Sequence, residues 1–201
     1  MRKLRTILIG GSLLPILFGV IFIVLIGGIS GGIGKDPNLI ELQNISISDI
    51  GFPYNEGIPV TLTQGYWLEL PEATQWWGSA TPPYARGCHP AVDYSAGYST
   101  EILNILPGEV VYVGSDAAFG NHVIIKSILD DGSELYVLYA HFSEVLTYIG
   151  ESKVLGSTIG REGNTGISTS SHLHLEISRE FTGYSLGGDP RERINYLDLI
   201  S

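Results

Sequence analysis

From Ile7 to Ile29 the chain reads "ILIGGSLLPILFGVIFIVLIGGI", without one charged residue. As a helix rising 1.5 Å per residue, such a run is long enough to cross roughly 30 Å of hydrocarbon. Arg2, Lys3 and Arg5 precede it, and the first acidic residue is Asp36. The positive-inside tendency therefore predicts a cytoplasmic N-terminus (residues 1–6), a transmembrane anchor (7–29) and an extracytoplasmic remainder, on the periplasmic or cell-wall side. The alternative is a cleaved signal peptide. Its apolar region normally runs about 7–15 residues, shorter than this one, while "GIS" at 28–30 offers small residues for cleavage. Either reading exports the rest of the chain.

The exported part carries all 21 acidic residues and 8 of the 11 basic ones, a net charge of −13. That charge repels nucleic acid and anionic lipid, which excludes a nucleic-acid partner. One cysteine, Cys88, forms no intramolecular disulfide, so the domain must be held by a core of its own.

Residues 30–56 are rich in Gly, Ser, Asn and Pro at both ends and read as an extracytoplasmic tether, with a short helix near Asn38 to Gln43. From residue 57 to 201 the signals are β. "IPVTLTQGY" alternates, and "GEVVYVGSDAAFGNHVIIKS" is two β-branched runs around a Gly-containing loop, as in a hairpin. "SELYVLYAHFS" and "HLHLEIS" are further strand-like runs, and "DPRERINYLDLI" has room for a helical turn or two. No stretch after residue 57 sustains a 3.6-residue apolar period. The expected fold is mainly β: a small antiparallel sheet, barrel- or sandwich-like, with an open groove, behind one N-terminal transmembrane helix.

The chemistry-bearing residues cluster in three motifs. In "SSHLHLEIS", residues i and i+2 of a strand face the same way, so His172 and His174 share a face while Leu173 and Leu175 point into the core. Their Cα atoms stand about 6.6 Å apart, close enough to converge on one ion, or for one to bind while its neighbour faces water. "CHPAVDY" gives His89 and Asp93, a nitrogen and a carboxylate suited to zinc, with Pro90 favouring a bend between them. "LYAHFS" adds His141, which leaves His122 alone among the five histidines outside these motifs.

In this order, the motifs closely resemble the lysostaphin-type zinc endopeptidases, which cut peptidoglycan cross-bridges and stem peptides. The match includes "TQGY" at 63–66, "HPAVDY" at 89–94, "GNHVIIK" at 120–126, "YAHFS" at 139–143 and "GNTGISTSSHLHLEI" at 163–177. It covers roughly residues 57–198 and leaves out the anchor and tether. The resemblance implies one zinc held by His89, Asp93 and His174, catalytic roles for His141 and His172, and a β-rich fold with a long groove. Two departures stand out: Ala91 where many relatives have Gly, and Cys88 beside a ligand. Three protein ligands leave one position open for water, as catalytic rather than structural zinc sites do. The chain has no His-Glu-x-x-His motif, so a neutral histidine is the candidate base.

The functional expectation is a membrane-anchored hydrolase of peptidoglycan peptide bonds, monomeric in its soluble part. The alternative is a non-catalytic peptidoglycan-binding or amidase-regulating module on the same fold. Around the site, Glu176 shares the face of His174 and either steadies a ligand or is a surface glutamate. Asn121 either lines the groove or shapes the hairpin loop. Trp76, Trp77 and Tyr84 serve as groove walls or as packing. Cys88 should point away from the metal, and His122 is expected to be structural or solvent-facing.

Overall fold

The computed structural model describes residues 45–66, 89–187 and 193–201. These form ten strands in chain order: β1 (Thr61–Gln64), β2 (Val92–Ser95), β3 (Glu101–Leu103), β4 (Gly108–Asp116), β5 (Gly120–Ile128), β6 (Glu134–Phe142), β7 (Glu144–Val145), β8 (Ser152–Lys153), β9 (Thr158–Arg161) and β10 (Leu173–Ser178). Among the described residues helix is confined to one 3-10 turn, Ile47–Asp49, and one short α-helix, α1 (Tyr196–Leu199). The mainly β expectation holds among the described residues.

Seven strands make one sheet in the order β1-β2-β10-β6-β5-β4-β8, and three make another in the order β3-β9-β7. Each pairing is antiparallel. The expected hairpin is β4 and β5, with Gly120 turning the corner at φ 60°. A Cβ there would meet Thr165 and Gly166, so glycine is required twice over.

Strand alternation divides the large sheet into two faces. Val123, Ile125, Leu135, Val137, Tyr139, Leu173, Leu175 and Ile177 belong to the main core, together with Ile102 and Ile159 of the small sheet. The intervening residues Ile124, Tyr136, Leu138 and Ala140 form a second apolar cluster with Leu186. Asp93, His174 and Glu176 alternate with core residues on β2 and β10, and so share that outer face. Period-two patterning thus places polar chemistry on one side of strands whose other side is fully apolar.

One boundary moves. The tether reading extends to residue 56, but residues 45–56 are docked on the domain. Ile45, Ile47 and Ile50 pack against the core and Tyr54 is buried within it. The segment also bonds through its backbone: Gly51 N donates to Ile105 O, Leu103 N to Pro53 O and Asp130 N to Ile45 O. A capping box at Ser46 and Asp49 fixes its 3-10 turn. Polar composition at the segment's ends disguised an apolar set, Ile45, Ile47, Ile50 and Tyr54, that needs a surface to cover.

The expected anchor (7–29) and the short helix near 38–43 lie outside the described residues. Among the described residues no helix is long and apolar enough to cross a membrane.

Candidate metal centre and catalytic histidines

Three antiparallel strands bring the motifs together. In the register, His174 on β10 faces Asp93 on β2 and Ala140 on β6. Cross-strand partners stand about 4.5–5.5 Å apart, so pairing alone sets Asp93 beside His174. The His174 Nδ1 lies 2.9 Å from Asp93 Oδ1. His89 reaches the same carboxylate because the chain bends at Ala91 between it and β2, putting its Nε2 3.3 Å from Asp93 Oδ2. His89 and His174 meet edge to face, with ring centroids 5.3 Å apart.

His141 arrives by a different device. Along β6 the alternation runs Tyr139 in, Ala140 out, and would send His141 into the core. Opposite this point the register with β5 slips: Val123 pairs with Tyr139 and Asn121 with Phe142, so His122 faces both Ala140 and His141. This β-bulge lets Phe142 rejoin the core and re-aims His141 toward the site. Its cost is visible in the His141 backbone, held at φ 66°, a left-handed conformation uncommon outside glycine. His141 and His172 then lie 4.6 Å apart, centroid to centroid, and His141 and His174 5.6 Å.

Each of the four histidines has one ring nitrogen occupied from behind. His89 Nδ1 donates to Gly65 O at 3.0 Å, and His141 Nδ1 to Thr165 O at 2.7 Å. His172 Nδ1 donates to Ser170 O at 2.9 Å, and His174 Nε2 to Glu176 Oε1 at 3.0 Å. A carbonyl or carboxylate oxygen can only accept here, so each contact puts a proton on that nitrogen and turns the opposite one inward. Outer partners of this kind accompany most metal-ligating histidines.

Two triads place one ligand atom each within 4.8 Å of one another: His89, Asp93 and His174, and His141, His172 and His174. The first contains a carboxylate and two imidazoles, a donor set that suits zinc and leaves a fourth position free. Burial works against charge on Asp93, but His174 and His89 outweigh it and hold the carboxyl well below its ordinary range. Burial likewise opposes a proton on His174, yet Asp93 and Glu176 raise its pKa, and the same two anions would attract a divalent cation. His141 goes the other way: burial, then the neighbouring His174 and His172, push it down to about 4. It is neutral at working pH.

Glu176 is 1% exposed, so the surface-glutamate alternative fails, and its carboxylate holds the His174 ring. Its other oxygen accepts from Arg193 Nε at 3.0 Å, and Arg193 also reaches Ser178 and the carbonyls of Leu186 and Gly187. Arg193 is a partner that strand patterning misses, because it sits beyond the last strand and reaches back. His122 is fully buried beneath Tyr112, rings 5.1 Å apart and stacked, with Nδ1 bonded to Gly120 O. Its role is structural. Asn121 donates from Nδ2 to Phe142 O and shapes the bulge. Phe119, unforeseen from sequence, lays its ring between those of His122 and His174. Cys88, Trp76, Trp77 and Tyr84 lie outside the described residues.

Comparison with known proteins gives a family match and a likeness of fold. Residues 87–186 match the family model described as Peptidase family M23. The chain is 35% identical over 90 residues to an uncharacterized metalloprotease of Haemophilus influenzae, covering 44% of this chain and 18% of that protein. It is 32% identical over 89 residues to the peptidoglycan DD-endopeptidase ShyA of Vibrio cholerae, covering 44% and 20%. The matched region spans only about a fifth of the length of these curated relatives. Among solved structures, the catalytic domain of lysostaphin from Staphylococcus simulans superposes with a TM-score of 0.53 at 22% identity, covering 71% of this chain and 92% of that domain. That likeness is one of fold.

Proposed function

Taking the chain as the carrier of a peptidase family M23 domain over residues 87–186, we propose that it is a membrane-anchored zinc endopeptidase hydrolysing peptide bonds of cell-wall peptidoglycan. One observation carries the reading. Four histidines and an aspartate from three strands and two loops converge, each imidazole with one nitrogen tied back to an outer acceptor and three of them with the other turned to the Asp93 carboxylate. Such preorganisation suits a site that must bind a cation and act on a substrate without rearranging.

In this reading His89 Nε2, Asp93 and His174 Nδ1 hold one zinc. When bound, zinc would supply Lewis acidity for activating water and polarising the scissile carbonyl. The chain's own residues do the rest. Neutral His141, its Nδ1–H committed to Thr165 O, presents Nε2 as a proton acceptor. His172 presents Nε2 3.7 Å from Asp93 Oδ2, where it can accept a proton from the reacting water and, once protonated, donate to developing charge. Glu176 and Arg193 keep His174 in the tautomer that ligates. The peptide would be taken on the outer face of β2, β10 and β6, and the extracytoplasmic domain works as a monomer.

The substrate assignment draws support from a peptidoglycan DD-endopeptidase among the relatives. The anchor rests on the uncharged 7–29 span and its basic flank. The deciding experiment incubates the purified protein with intact peptidoglycan, with and without chelator, and identifies released fragments by mass spectrometry. Release of cross-bridge or stem-peptide fragments only without chelator is expected; no release in either case contradicts the reading. A reporter fused after Ser201 should be active only outside the cytoplasm, and activity confined to the cytoplasm would remove the substrate.

A further inference from the structure

Glu162, just past β9, is fully buried, and no cation among the described residues pairs with it. A buried carboxylate is costly unless hydrogen bonds replace water. Here five donors do so. Oε2 accepts from Tyr54 Oη at 2.9 Å and Ala96 N at 2.8 Å. Oε1 accepts from Ser171 Oγ at 2.8 Å, Gly97 N at 3.2 Å and Ser95 Oγ at 3.2 Å. The Ser95 hydroxyl divides its single hydrogen between this contact and Ser171 O at 2.9 Å. The donors come from three separate stretches of chain: the docked N-terminal segment, the end of β2, and the loop entering β10.

That loop is where His172 begins. Ser171 is held to Glu162 on its side chain and to Ser95 on its carbonyl. The next residue's amide, His172 N, donates to Gly163 O at 3.1 Å. Gly163 in turn abuts β6: a Cβ there would fall 2.1 Å from Ser143 N and 2.6 Å from His141 O. Two residues on, Thr165 O accepts from His141 Nδ1. The run 162–165 therefore touches both candidate catalytic histidines, and its first residue is the anchored one.

Building on the peptidase reading, we propose that Glu162 is a positioning residue for His172, and that Tyr54 couples the docked N-terminal segment to it. Hydrogen bonds to an ionised acceptor are the shorter and stronger kind, so a five-donor carboxylate is a stiff reference point. Ser171 transmits that stiffness to the histidine. Tyr54 makes the hub depend on residues 45–56, the stretch leading from the expected anchor to the domain.

The test uses the full chain in detergent micelles, with Ser171→Ala, Ser171→Thr, Glu162→Gln and Tyr54→Phe. Zinc content, kcat and KM on a peptidoglycan peptide, and the imidazole 1H–13C signals of the five histidines are measured. For Ser171→Ala and Glu162→Gln, misplacing a reacting group predicts kcat lower by roughly 10- to 100-fold. KM should stay within about twofold, because ground-state binding is untouched. Zinc stays at wild-type content, and the His172 signal shifts or broadens while that of His122 does not. Tyr54→Phe moves the same readouts less, and Ser171→Thr, which restores the hydroxyl, recovers kcat.

Ser171→Ala removes one part-buried contact and keeps the test open if Glu162→Gln does not fold. Folded Ser171→Ala with wild-type kcat and an unmoved His172 signal would overturn the proposal. So would equal disturbance of His122, which shares no hydrogen bond with the hub, since that marks a general loss of fold. If the wild-type chain cleaves nothing, the peptidase reading falls, and the His172 signal alone still decides whether Glu162 positions it.

Discussion

Strands β10 and β6 lie side by side, and each delivers a histidine to one centre by opposite means. On β10 the two-residue alternation is unbroken: Leu173, Leu175 and Ile177 face the core, His174 and Glu176 the site. On β6 it holds through Ala140 and then breaks, at a bulge that turns His141 outward at φ 66°. The metal-binding candidate thus sits on relaxed, regular backbone and the candidate base on strained backbone. A ligand needs only a fixed direction, which a strand supplies. His141 is aimed in a direction that the period of β6 forbids.

The largest expected effect tests what the regular strands hold together. Asp93→Ala removes the carboxylate between His89 and His174, so bound zinc and peptidoglycan cleavage should both fall to background. Metal analysis finding stoichiometric zinc in that variant would separate the metal from β2 and β10. On the irregular strand the outcome should differ in kind. His141→Ala should keep its zinc and lose about 10²- to 10⁴-fold in kcat, the range for removing a general acid or base. Zinc loss on this substitution would make β6 a ligand strand like β10.

The two strands also predict opposite responses to pH in chelated protein. His141 has a folded value near 4, below its ordinary 6.5, so the unfolded chain binds the extra proton between those values. Its contribution is full above pH 6.5 and is lost as pH falls towards 4, on the order of 3 kcal/mol for a shift of that size. His174 is raised: burial opposes the shift, but Asp93 and Glu176 dominate. Its contribution is full below 6.5 and lost as pH rises through its folded value. Urea denaturation across pH should show His141→Ala flattening the acid side of the stability profile and His174→Ala the alkaline side. The same side flattening in both would erase the contrast.

The smallest effect is a reversal of sign. At position 141 the left-handed backbone favours glycine, so His141→Gly should be more stable than His141→Ala, by about 1 kcal/mol. At position 174, in extended strand, His174→Gly should be less stable than His174→Ala, by about 0.5–1 kcal/mol. Denaturation midpoints of the four variants test this, and matching signs at both positions would mean the bulge stores no strain.

Legibility in the sequence divides the same way. Leu173, His174, Leu175 and Glu176 are readable because a strand's period is local, and so is the β4–β5 hairpin. His141 is readable only as a histidine in a strand-like run; the bulge depends on Asn121 and Thr165, which lie outside that run. The docking of residues 45–56 is hidden for a related reason: Tyr54 finds its partner at Glu162, 108 residues away. Arg193, buried against Glu176, is hidden too, since no local pattern marks a cation that returns to a strand from beyond it.

The whole mechanism hangs on the division of labour between His172 and His174, and zinc content measured beside peptidoglycan cleavage in two variants is its sharpest test. His174→Ala should lose both zinc and activity. His172→Ala should retain stoichiometric zinc on His89, Asp93 and His174 while cleavage falls by about 10²- to 10⁴-fold. Zinc lost from His172→Ala and kept by His174→Ala would reverse the two roles, and wild-type cleavage by both would place the reaction elsewhere.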